Sequence, residues 1–84
     1  MFNIIPIQLF GLYSDVLFFC INNTSTNEWF YLEAKVNDAE QTILKIRNEY
    51  PNSNFKGIKR LKNVPEVMAL YEILLERNAT EIKL

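Results

Sequence analysis

Two apolar runs separated by a short polar segment are the feature that most constrains the fold of this chain. The runs cover residues 15–22 and 28–36 and are rich in aromatic and β-branched side chains, which favours strands. Residues 23–27 between them are asparagine, threonine and serine, whose short side chains hydrogen-bond to nearby backbone and favour turns. The sequence therefore predicts an antiparallel hairpin with its turn centred on Ser25.

Two later stretches predict amphipathic helices with capped N-termini. The first begins after Asn37 and runs to about Tyr50, and the second begins after Asn63. Each asparagine is followed three residues later by a glutamate, which is the spacing of a capping box. In the second helix we assign Met68 and Tyr71 to the core, because a single Met or Tyr at helical spacing rarely marks a site.

Strand patterns before and after the helices complete the predicted fold. Residues 2–10 predict an edge strand or a strand with a bulge at Pro6, since Pro6 cannot donate a hydrogen bond to a strand ladder. Residues 55–61 predict a strand between the helices, and residues 80–84 a final strand. Because strand-helix-strand units cross over with a right-handed turn, we expect both helices on one face of a small mixed sheet. The predicted class is α+β, an antiparallel hairpin or meander followed by α-β-α, in one domain over residues 1–84.

Composition excludes several classes of function. The 84 residues carry a net charge of −1 and no histidine, which removes histidine-activated nucleophiles and zinc sites that need imidazole. The single Cys20 lies within an apolar run and is expected to act as a small buried hydrophobic residue. The near-neutral charge argues against a dedicated DNA binder. No apolar stretch reaches the length of a membrane span and no basic residue precedes the first one, so we expect no signal peptide, no membrane contact and a cytoplasmic location.

Strand alternation divides the predicted hairpin into two faces. The even-numbered positions of both runs are largely apolar and are expected to meet the helices. The odd-numbered face mixes aromatic, aliphatic and charged side chains, which would be a solubility liability if left bare. Unless a terminal segment folds over it as ordinary core, we expect this face to bind another protein. The predicted interface consists of Leu17, Phe19, Ile21, Trp29, Tyr31, Glu33 and Lys35.

The same face carries an arrangement typical of phosphodiester chemistry. With the turn centred on Ser25, Asp15 lies diagonal to Glu33 at about 7–8 Å, close enough to share a metal ion. An acidic residue on one hairpin strand, Glu-x-Lys on the next, and then helix, strand and helix resemble the minimal PD-(D/E)xK nuclease core. The resemblance implies Mg²⁺ held by Asp15 and Glu33, a water-assisting role for Lys35, and Gln41 in the place of a helix glutamine. A register shift of one residue would put Asp15 and Glu33 on different faces.

A second alternative is binding of RNA. Phe19, Trp29 and Tyr31 offer aromatic rings on which bases could stack, as they do on the sheets of several RNA-binding domains. The basic segment that would contact phosphates consists of Lys56, Lys59, Arg60 and Lys62. The chain has no glycine-aromatic signature of such domains, so nucleic acid is the less favoured partner.

The sequence favours a small protein-interaction domain without catalytic activity, metal or cofactor. We expect it to bind a larger protein through its sheet face and to inhibit or adapt that protein, with a homodimer as the other arrangement. Short chains that are rich in Asn, Ile and Lys and lack catalytic motifs are frequent among phage and mobile-element accessory proteins. These include inhibitors of host defence and immunity proteins for toxins.

Overall fold

The chain folds into a six-stranded mixed sheet with two helices. The computed structural model describes the backbone of residues 1–84 and every side chain except that of Leu12. The strands are β1 (Phe2–Gln8), β2 (Val16–Asn23), β3 (Glu28–Lys35), β4 (Ser53–Phe55), β5 (Lys59–Arg60) and β6 (Thr80–Glu81). The helices are α1 (Ala39–Glu49) and α2 (Val64–Glu76). The predicted α+β class, with a mixed sheet and two helices, is confirmed.

β1 is an interior strand, whereas the sequence predicts an edge strand. The sheet order is β4-β1-β2-β3-β6, and β5 also pairs with β1. The carbonyls of Ile4 and Gln8 accept hydrogen bonds from Lys56 and Leu61 on the β4 and β5 side. Pro6 lies between these two contacts, in the interval that neither short strand covers. The missing amide hydrogen of Pro6 therefore interrupts no ladder, which explains how proline fits inside the sheet.

The two helices lie on opposite faces of the sheet. α1 packs through Ile46 against Phe19, and α2 packs through Leu74 against Phe18 and Cys20. Neighbouring residues of a strand point to opposite faces, so the expectation of both helices on one face is corrected. The connection β3-α1-β4 carries the chain across the sheet in one direction, and β5-α2-β6 carries it back. Right-handed crossovers that travel in opposite directions must cover opposite faces.

The hairpin of β2 and β3 forms, but its register differs by one residue from the predicted one. The loop spans residues 24–27, one residue fewer than the predicted turn, and Phe18 pairs with Glu33. Asn27 adopts the left-handed conformation at φ 59°, and its amide donates to the carbonyl of Asn23 over 2.7 Å. A shift of one residue exchanges the faces of all β3 side chains relative to β2.

The predicted cap of α2 forms, and the predicted cap of α1 does not. Asn63 Oδ1 accepts a hydrogen bond from the amide of Glu66 over 3.0 Å, and the Glu66 carboxylate accepts one from the amide of Lys62 over 3.0 Å. A short 3₁₀ helix over Val36–Asp38 precedes α1, and no side chain caps the first turn of α1. The expected cap at Asn37 is therefore wrong.

The strands after the hairpin are shorter than predicted. Of the predicted strand 55–61, Phe55 is the last residue of β4 and only Lys59–Arg60 form β5. The final strand β6 pairs with Phe30 and Tyr31 only. In the described chain the remainder of the outer edge of β3, including Glu33 and Lys35, has no strand beside it. Among the described residues, neither helix combines the length and apolar content needed to cross a bilayer.

Candidate functional site

One flank of α2 exposes a line of large apolar side chains, which we call the α2 stripe. Val64, Met68, Tyr71 and Leu75 recur at spacings of four, three and four residues, so they follow one line along the helix. Leu75 is 77% exposed and Met68 is 54% exposed. At about 100° per residue, the stripe lies roughly a quarter-turn from the buried line that contains Leu74. α2 is therefore apolar on two sides, and only one of them meets its own sheet.

An apolar groove lies beside the N-terminal half of the stripe. Its volume is about 400 Å³. The residues that line it are Leu9, Phe10, Tyr13, Val64, Val67 and Tyr71. None of these described lining residues is charged, so the groove suits an aliphatic or aromatic side chain more than an ion.

Tyr71 connects the stripe to the sheet. Its ring meets that of Phe18 edge-on with centroids 6.0 Å apart, and Phe18 in turn stacks against Tyr31 at 6.3 Å. Burial raises the pKa of Tyr71, and the negative charge of Glu33 raises it further. The hydroxyl therefore stays protonated at neutral pH and can donate a hydrogen bond. An apolar ring with a polar tip is the kind of side chain that is enriched at protein interfaces.

Opposite charges flank the two ends of α2. Glu72 and Glu76 are exposed on its C-terminal half. Lys59, Arg60 and Lys62 are exposed just before its N-terminal end. The stripe itself carries no charge and has charged residues at its two ends, as interfaces commonly do. Of the basic residues, Lys59 and Arg60 lie on the other flank of α2, beside Ala69 and Ile73.

The interface predicted on the hairpin is divided by the sheet. Leu17, Phe19 and Ile21 lie under α1 and are at most 3% exposed. The other members lie on the α2 face, because the observed register pairs odd positions of β3 with even positions of β2. These members are Trp29, Tyr31, Glu33 and Lys35. The predicted set therefore does not form one surface.

The residues of the nuclease resemblance are divided in the same way. Lys35 pairs with Val16, which places Lys35 and Glu33 on the α2 face. The carbonyl of Asp15 accepts a hydrogen bond from Val36, one position further along each strand, which puts the Asp15 side chain toward the opposite face. Gln41 is exposed on α1, on the face away from α2. Among the described residues, no three carboxylate or thiol side chains lie close enough to hold a metal ion.

The residues of the RNA alternative are also separated. Lys56, Lys59, Arg60 and Lys62 lie in or beside β4 and β5, next to β1, and all are exposed. Trp29 and Tyr31 lie on β3, with β1 and β2 in between, which amounts to about 14 Å at the usual strand spacing. The Trp29 ring is covered by the guanidinium of Arg77, whose carbon lies 4.2 Å from the ring centroid. These aromatic and basic groups therefore do not form one continuous groove.

The α2 stripe is the feature that the sequence interpretation missed. Met68 and Tyr71 were predicted in the core, but they are 54% and 42% exposed. The available signal was that α2 is too apolar for a helix with one covered face, since Leu75 and Val64 extend a second line beside the buried one.

Comparison with protein-family models, curated proteins and solved structures gave no match for this chain.

Proposed function

We propose that this chain is a small, non-catalytic protein-interaction domain whose contact surface is the α2 stripe with its adjoining groove. The observation that carries the proposal is the exposed line of Val64, Met68, Tyr71 and Leu75 beside an uncharged groove. The chain acts by occupying a surface of the protein it binds, and so inhibits or adapts that protein. Its composition keeps phage and mobile-element accessory proteins as the proposed class, acting in the cytoplasm.

The energetics of burial support a contact on this flank. Covering one large aliphatic side chain contributes about 1.5–3 kcal/mol, so a partner that covers Leu75, Met68 and Val64 gains a central apolar contribution. The contact of Tyr71 with Phe18, which stacks on Tyr31, holds the Tyr71 ring against the sheet, so this residue of the stripe loses little conformational entropy on binding.

The separation of charged residues supports binding over catalysis. A metal-dependent nuclease requires its carboxylates in one place, and Asp15 and Glu33 point to opposite faces of the sheet. We expect no Mg²⁺-dependent cleavage of DNA or RNA. Cleavage by the wild type that is lost in both Asp15→Asn and Glu33→Gln would overturn this part of the proposal.

Photo-crosslinking tests the contact surface. A photoreactive phenylalanine analogue placed at Met68 reports on the stripe, and the same group at the exposed Asn48 of α1 is the matched control. We expect the probe at Met68 to form one defined crosslinked adduct, identified by mass spectrometry. The adduct should disappear when the Leu75→Glu substitution is made in the same chain. If the Met68 probe gives no adduct above the Asn48 level, the stripe is not a contact surface and the proposed function fails.

A further inference from the structure

We propose that the protein bound to the α2 stripe is a second copy of this chain, related by a two-fold axis that sets the two α2 helices antiparallel. This inference rests on the proposed function, because it takes the α2 stripe as the contact surface. Two features of this flank are self-complementary in this arrangement, namely the order of the side chains and the shapes of the two ends. The charges at the two ends of α2, Lys62 and Glu76, are complementary as well.

The order of the stripe is symmetric about its middle. With the two-fold axis midway between Met68 and Tyr71, Val64 lies opposite Leu75 of the second copy, and Met68 lies opposite its Tyr71. Each pair brings apolar surface onto apolar surface. The spacing of four, three and four residues is also the spacing by which two helices interdigitate along a seam. The stripe therefore has the same spacing of apolar side chains in both directions, so it can pair with an antiparallel copy of itself.

The two ends of the stripe have complementary shapes. Leu75 projects at the C-terminal end and, at 77% exposure, is the most exposed large apolar side chain that the structure describes. The groove beside Val64 lies at the N-terminal end, about 16 Å along the helix axis. A two-fold axis brings each Leu75 to the groove of the other copy. One symmetric contact thus fills both grooves and covers both leucines, and it closes at two copies.

The charges at the two ends also match. In the antiparallel arrangement, Glu76 of one copy approaches Lys62 of the other, because these positions lie within one residue of being opposite. Glu72 follows on the same acidic half. A parallel pair would instead place acidic beside acidic and basic beside basic, which costs free energy. An unrelated partner would not require both a projection and a groove on this one flank of α2.

Sedimentation equilibrium of the purified chain tests the second copy as occupant. We expect a wild-type dimer and at least a hundredfold weaker dimerisation for Leu75→Glu. Leu44→Glu, which alters a 60% exposed leucine on α1, is the matched control and should dimerise as the wild type does. Circular dichroism establishes that both variants are folded. A wild type that is monomeric at its highest soluble concentration, or a Leu75→Glu variant that dimerises like the wild type, overturns the inference.

A charge exchange tests the antiparallel orientation. Lys62→Glu and Glu76→Lys each place like charges at both ends of the dimer, so each variant alone should dimerise at least tenfold more weakly. A 1:1 mixture should recover wild-type affinity, because each end of the mixed dimer again pairs opposite charges. Both changes suit the helix dipole, so they should leave the fold intact. Single variants that dimerise as tightly as the wild type, or a mixture as weak as the single variants, would contradict the orientation.

The two proposals fail separately. If the wild type is monomeric while the photoreactive group at Met68 captures a different, identified protein, the second copy is rejected and the proposed function stands. If the wild type is monomeric and the probe at Met68 captures nothing beyond the Asn48 control, both are rejected.

Discussion

The ring of Tyr71 on α2 meets the ring of Phe18 on β2 edge-on, at a centroid distance of 6.0 Å and an interplanar angle of 82°. Phe18 is 1% exposed and Tyr71 is 42% exposed, so this pair joins the core to the surface of the domain. Such aromatic pairs contribute about 0.5–1.5 kcal/mol beyond the area that they bury. The surface that we assign to partner binding is thus held directly by the core beneath α2.

Truncation of Ile46 should destabilise the other face of the sheet. Ile46 is the one buried residue of α1, and its 0% exposure places it against Ile4, Phe19 and Ile21. We expect Ile46→Ala to lower the free energy of unfolding by about 2–5 kcal/mol, because it leaves a cavity under the helix. Urea denaturation followed by circular dichroism measures the change. Leu44→Ala on the exposed side of α1 should shift it by less than about 0.5 kcal/mol, and equal losses in the two variants would contradict this packing.

Removal of the α2 cap should have a smaller effect. Asn63→Ala deletes the oxygen that accepts the amide of Glu66, and we expect a loss of about 1 kcal/mol. Asn63→Gly should lower the free energy of unfolding by only about a few tenths of a kcal/mol, because glycine leaves the end of the helix open to water. Asn48→Ala, in the exposed face of α1, is the control for loss of an asparagine side chain. An Asn63→Ala variant as stable as the control would show that the cap contributes nothing.

The Cys20 thiol should make stability depend on alkaline pH. Burial raises its pKa from 9.0 to about 11, and the positive charge of Arg77 opposes this only in part. Between these two values the folded chain keeps the thiol proton that the unfolded chain has released. The stabilisation from the buried, protonated thiol is therefore complete below pH 9 and is lost as the pH rises to about 11. The loss amounts to about 2–3 kcal/mol in the free energy of unfolding.

Cys20→Ala provides the control for that pH dependence. The variant should lose less stability between pH 9 and 11 than the wild type, although the raised pKa values of Tyr50 and Tyr71 act in the same direction and leave a residual slope. Denaturation curves at a series of pH values measure both slopes. Identical slopes would show that the thiol is not responsible.

The contact of Arg77 with Trp29 should be visible in fluorescence. Trp29 is the only tryptophan, so its emission reports on this ring alone. Arg77→Ala uncovers the ring and should shift its emission to longer wavelength, with a loss of about 0.5–1 kcal/mol in the free energy of unfolding. Lys83→Ala removes an exposed positive charge elsewhere and should leave the emission unchanged. An unchanged spectrum in Arg77→Ala would exclude the stacked arrangement in solution.

Local sequence patterns predicted the hairpin and both helices, but they did not predict which side chains share a face of the sheet. The hairpin, both helices and the Asn63 cap follow from local patterns, because alternation, helical spacing and capping act within a few residues. The register depends on whether the loop holds four residues or five, and Asn23 and Asn27 suit either length. That single residue decides whether Glu33 shares a face with Phe19 or with Phe18.

The position of the candidate site was equally hidden from local patterns. α2 carries two apolar lines, Val67, Leu70 and Leu74 on one and the stripe on the other, and each has helical spacing. Periodicity alone does not say which line meets the sheet. Which face of the sheet α2 covers follows from the direction of the crossover, and that direction depends on the partners of β5 and β6 across the whole sheet.

The open edge of β3 has a consequence for self-association of another kind. An uncovered strand edge is a template on which further strands can add, and this is the first step toward fibrils. Beyond Tyr31 this edge carries Glu33 and Lys35, both exposed. Stacked copies would set identical charges above one another along a growing ribbon, which opposes its extension. We therefore expect Glu33 and Lys35 to disfavour the addition of further strands at the part of β3 that β6 does not pair with.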